Sequence, residues 1–162
     1  MEGRGRGARA FAGALLLATA CAFAGCAGEG PPAKGGGGPK CVPQVDPASA
    51  PQYASNIQPL YNKACAVAGC HVGTPPAQFL DLSVGKSYRD TVNVRSTEVR
   101  NLLLVKPGDA ANSYLVQKIN GTPGLTLMPQ GCPGAPLRGA VCLTPDEITA
   151  IETWVLACAP NN

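Results

Sequence analysis

Between Lys63 and Gly73 the chain reads KACAVAGCHVG. It sets Cys65 and Cys70 five positions apart and follows the second at once with His71, the single histidine of the 162-residue sequence. Two thiols and an imidazole on one short stretch have two readings. They are a disulfide beside an incidental histidine, or a set of attaching and ligating groups gathered around one ligand. The flanking sequence decides between them, and with them the fold.

The N-terminus reads as a targeting segment. Arg4, Arg6 and Arg9 precede an apolar run from Ala10 to Gly25, which is short for a membrane span. The run ends in AFAGC, with small residues before Cys26. This pattern is similar to a bacterial lipoprotein signal, so residues 1–25 are expected to be cleaved and Cys26 acylated. LATAC, ending at Cys21, is a competing cleavage site, and secretion without a lipid is the plain alternative. Ala27 is not the aspartate associated with inner-membrane retention, which points to an exported outer-membrane lipoprotein. Eight cysteines in a short exported chain are expected to be oxidised or otherwise occupied. Loss of residues 1–25 takes away three arginines and Glu2 and leaves a net charge near +1. No basic patch interleaved with aromatics is present, so nucleic acid is not an expected partner.

Residues 26–40 are dominated by glycine and proline and read as a tether with a mean span of about 20 Å. The folded domain is expected over 41–160. SNIQPLYNKAC (Ser55–Cys65) predicts a first helix with Ser55 as N-cap, Pro59 near its first turn, and Ile57, Leu60, Tyr61 and Ala64 on one face. A short helix is expected near Val84–Thr91, and LLLV (Leu102–Val105) reads as an extended buried run. Asp109 is expected to cap a helix through AANSYLVQKIN, with Leu115, Val116 and Ile119 as its apolar stripe and Gly121 as its stop. Residues 122–143 form a long Gly/Pro-rich loop of the kind that needs a role or a staple. TPDE then predicts a capped last helix, with Thr144 as N-cap, Pro145 at N1 and Glu147 closing a capping box. Ile148, Ile151, Val155 and Cys158 share a side of it, with Trp154 close by. The fold class is mostly α, a small domain of about four helices with long loops.

A histidine directly after a cysteine suits covalent haem, because one rigid turn then serves both attachment and ligation. The shorter C-x-x-C-H spacing is the known attachment signature. Iron needs a second axial ligand, and a methionine thioether raises the potential of an electron-transfer haem. Without residues 1–25 the chain holds one methionine, Met128, in LMP within the long loop. In CAVAGCH after a helix, KPGDAANSYLVQKI, LMP and a capped final helix with Trp154, the chain resembles a class I c-type cytochrome over about Ser55–Ala157. The resemblance implies one haem c attached at Cys65 and Cys70, His71 and Met128 as axial ligands, and a first helix packed against the last. It implies a membrane-tethered single-electron carrier that meets redox partner proteins transiently. The attachment motif here is longer by two residues, and small Ala66, Val67, Ala68 and Gly69 give it room to loop out. The insertion bears on Cys65 more than on Cys70, which keeps its place beside His71. With only 5% aromatic residues, a large apolar cofactor would also help fill the core.

Two other readings compete. A haem-free, disulfide-stabilised binding lipoprotein would pair Cys65 with Cys70. A peroxidase-like or sensing haem protein would need an open iron position, which an available Met128 argues against. Asp146 and Glu147 are accounted for by the cap, and no Ser-His-Asp or Cys-His catalytic set is readable, so an enzyme is not expected. Four cysteines are left. Cys132 and Cys142 share the loop after Met128 and close easily on each other. If the end helices pack as the resemblance implies, Cys41 and Cys158 form the second bridge; otherwise Cys41 stays free or pairs between molecules.

Overall fold

The computed structural model describes residues 40–162. The expected signal peptide, Cys26, its rival Cys21 and the tether up to residue 39 lie outside them. Among the described residues no helix is long and apolar enough to cross a membrane.

The chain enters its first helix through a wide π-helical turn, Tyr53–Ile57, and continues as α1 (Gln58–Ala64). Ser55 is therefore not the N-cap. It lies inside the turn, while Gln52 starts it in extended geometry and its carbonyl accepts from the Asn56 and Ile57 N–H groups. The expected face is buried at Ile57, Tyr61 and Ala64. The second helix, α2 (Ser87–Thr91), starts later than expected and leaves Val84 exposed.

Leu102–Val105 runs extended. Leu103 bridges to Arg95 on one side and to Ser113 on the other, and Val105 bridges to Val92. No β-strand forms among the described residues beyond these isolated bridges. The third helix, α3 (Tyr114–Asn120), begins five residues beyond Asp109, so Asp109 does not cap it. Its carboxylate instead accepts from Lys106 Nζ at 2.7 Å and from the Asn112 N–H at 3.2 Å, which holds the preceding turn. Ser113 stands at the N-terminal end, but its hydroxyl is engaged by the Lys106 N–H at 2.8 Å. Gly121, in the left-handed region at φ 66°, ends α3 as expected. The last helix, α4 (Pro145–Leu156), carries the full capping box. Glu147 N–H donates to Thr144 Oγ1, and Thr144 N–H donates to the Glu147 carboxylate.

These elements share one core, centred on Ile57, Tyr61, Val105, Ile151, Trp154 and Val155, each at most 1% exposed. The last helix packs on α3 and on the turn that opens α1. Trp154 lies tilted on Tyr53, with ring centroids 5.3 Å apart, and donates from Nε1 to the Pro160 carbonyl. Lys63 at the end of α1 pairs with Glu147 in the first turn of α4. The two ends of the domain therefore meet, and Cys41 is bonded to Cys158 with Cα atoms 5.8 Å apart. Gly108 is packed against that bridge. A Cβ there would stand 2.7 Å from Cys41 Sγ, and φ is already 79°. Cys132 is bonded to Cys142 within the long loop.

Candidate functional site

The loop between Cys65 and Cys70 is built by hydrogen bonds that absorb its length. The Cys65 and Ala66 N–H groups both donate to the Tyr61 carbonyl, which closes α1 on a widened turn. Cys70 N–H then donates to Val67 O, and His71 N–H returns to Cys65 O at 3.1 Å. Gly69 takes φ 78°, a left-handed value that suits glycine, and the Arg138 guanidinium lies over it. The following segment fastens the loop from outside. Ala77 N–H donates to Cys70 O and Leu82 N–H to His71 O, each at 2.8 Å. The extra length thus forms a turn, and Cys65, Cys70 and His71 stay on one wall of a cleft.

The cleft has a volume of about 390 Å³, within the range of small-molecule sites. Its apolar lining includes Leu80, Leu82, Leu104, Leu115, Ile119 and Ala140. Met128 lines it too. Its segment folds back along α3 after Gly121, and the Met128 N–H donates to the Lys118 carbonyl at 2.9 Å. The candidate residues Cys65, Cys70, His71 and Met128, distant in sequence, therefore share one cavity. Trp154 does not line it and belongs to the core. Phe79 and Leu137, 83% and 49% exposed, stand at the mouth.

The chemistry of the donors is consistent. Cys65 and Cys70 are unbridged, whereas the other four described cysteines are paired. Burial, reinforced by the neighbouring Cys70, pushes the Cys65 thiol up to about 12. It stays protonated at neutral pH and is a poor nucleophile, unlike the thiolate of a catalytic cysteine. Burial also lowers the pKa of His71, against a smaller opposing pull from the backbone of Leu80 and Ala77. The ring is thus neutral at pH 7, the form that binds a metal. His71 Nδ1 is buried without a hydrogen-bond partner. An unpaired buried nitrogen of this kind costs about 1–3 kcal/mol, so the ring lacks one partner. Among the described residues no group of three or more His, Cys, Asp and Glu gathers to hold a metal ion. A four-ligand protein metal site is therefore not formed here. A metal carried by an organic ligand, using one imidazole and one thioether, fits the donors present.

One feature of the cleft was missed in the sequence. Lys118 lines it and is buried, with Glu98 and Tyr114 beside it. The signal was available, because Lys118 lies three residues after Leu115 on the same stripe of α3.

No protein-family model, curated protein or solved structure matches the chain.

Proposed function

We propose that this protein is an exported single-electron carrier that holds one haem c in the cleft, anchored to a bacterial membrane through a lipid on Cys26. The observation that carries the reading is the meeting of two unbridged thiols, a half-buried neutral imidazole and the described domain's single methionine on one largely apolar cavity. Cys65 and Cys70 would attach the ring, and His71 and Met128 would supply the axial pair. Bound there, haem provides a one-electron couple, and the protein sets its potential through ligand type and burial. The chain's own part is to hold the donors in place. The loop hydrogen bonds fix His71, the Lys118 carbonyl fixes the Met128 backbone, and the leucines exclude water. Phe79 and Leu137 at the mouth would meet redox partners in weak, transient contacts.

Mass spectrometry of the full chain, expressed with a haem-attachment system, tests this. One haem on the peptide spanning Cys65–His71 is the expected result. A Cys65–Cys70 disulfide with no added haem would replace this reading with the haem-free binding lipoprotein, whose fold the two bridges would equally support. Single variants refine the assignment. Cys70→Ala is expected to reduce attachment more than Cys65→Ala, because Cys70 adjoins His71; the reverse order would reassign the anchoring thiol.

A further inference from the structure

Lys118 is 7% exposed and lies on the cleft-facing stripe of α3 with Leu115 and Ile119. Lysine is almost never buried to this degree without a partner. Its ammonium has three donors to satisfy. Among the described residues the one carboxylate within 4 Å is that of Glu98, at 3.6 Å, beyond hydrogen-bond distance. That same oxygen already accepts the Tyr114 hydroxyl at 2.9 Å. The Tyr114 ring offers only a cation–π contact, 5.6 Å from Nζ to the centroid. The Glu98 side chain is 39% exposed, so its attraction is screened by water. Arg95 and Arg138, the other cations of the lining, are exposed and need no partner.

A buried side chain that brings an ammonium with unspent donors to an apolar cleft wall selects a ligand with an apolar body and an anionic group. We infer that Lys118 is a specificity-determining residue that receives a ligand carboxylate inside the cleft, in place of its weak pairing with Glu98. The inference rests on the haem reading, since haem joins an apolar macrocycle to two carboxylates. It goes further in giving one residue outside the attachment and axial set the task of telling that ligand from an uncharged analogue.

The test uses the full chain purified without haem and two metal-free probes, protoporphyrin and its dimethyl ester. Neither probe has iron to ligate, and they differ in the two propionates, which are carboxylates in one and uncharged methyl esters in the other. The wild type is expected to bind the free acid roughly tenfold or more tightly than the ester, the scale of one charge-assisted hydrogen bond. Lys118→Met should abolish that preference, Lys118→Arg should retain much of it, and Glu98→Gln should strengthen it by removing the competing anion. If Lys118→Met fails to fold, as judged by helicity and intact bridges, the Arg and Gln variants carry the comparison. Equal binding of acid and ester by the wild type would overturn the inference, as would an unchanged preference in Lys118→Met or in Glu98→Gln. Covalent haem in the loaded protein without any carboxylate preference would overturn it and leave the proposed function standing. If neither porphyrin binds and no haem is attached, both fall.

Discussion

Replacing Cys41 and Cys158 together by alanine should remove the tie that holds the two ends of the domain. The bridge spans 117 positions in the sequence. Chain-entropy arithmetic assigns a loop of that length about 5 kcal/mol of stabilisation through restriction of the unfolded chain. The same arithmetic for Cys132–Cys142, separated by 10 positions, gives about 3 kcal/mol. A domain of this size is stable by roughly 5–15 kcal/mol in total, so the long bridge represents a large share. With an unfolding entropy of about 2.1 cal/mol/K per residue, the long-bridge variant should melt about 20 °C below the wild type and the short-bridge variant about 11 °C below. The assay is urea unfolding followed by far-UV circular dichroism in one buffer, with thermal melts alongside. Loss of the long bridge should cost more, and the void left beside Gly108, which can relax only partly once the sulfurs are gone, adds to it. If removing Cys41–Cys158 costs no more than removing Cys132–Cys142, loop length does not govern these bridges and the entropic reasoning is refuted.

Under the proposed haem reading, Met128→Ala should leave haem attached while lowering the potential and opening the iron to carbon monoxide at neutral pH; an unchanged spectrum and potential would remove Met128 from the proposed ligand set. Gly108→Ala should destabilise by roughly 1–2 kcal/mol for its left-handed backbone, and further because Cys41 Sγ blocks the new Cβ. Gly69→Ala should cost only the backbone part, because the obstacle there is the movable end of Arg138; equal losses in unfolding experiments would contradict this. Acid should weaken the fold through Glu147 and Asp81. The Lys63 ammonium, then the Thr144 backbone, hold the Glu147 carboxyl below its usual value, and Lys86 with Ser83 holds Asp81 down to about 2. Both are more acidic folded than unfolded, so their contribution is complete above about pH 4.5 and fades as pH falls through the folded values. Glu147→Gln should flatten the stability profile below about pH 4.5; an unaltered slope would show that the Lys63 pair is solvated and inert.

The parts of this protein that obey local rules were legible from the chain. Thr144, Pro145 and Glu147 define a helix start by themselves, because a capping box satisfies its own backbone donors within four residues. Gly121 ends α3 for an equally local reason, since it adopts a left-handed backbone at little cost. The spacing of Ile57, Tyr61 and Ala64 marked the buried face of the first helix. Local signals misled where one side chain had two uses. Asp109 has the chemistry of a cap, but Lys106 and Asn112 compete for its carboxylate and hold a turn instead. Ser55 sits within a π-helical turn that no short motif announces.

The site divides along the same line. Type and order singled out Cys65, Cys70, His71 and Met128 as candidate donors. That they line one cavity was decided by tertiary structure, because it depends on how the loop after Gly121 returns along α3 and on how residues 77–82 fasten the cysteine loop. Lys118 shows the difference most sharply. Sequence makes it an ordinary helical lysine, but the packing of α3 buries it beside the cleft with one distant carboxylate. Residue type determines what a group can donate or accept. Only the packed fold determines whether water is there to take the bond.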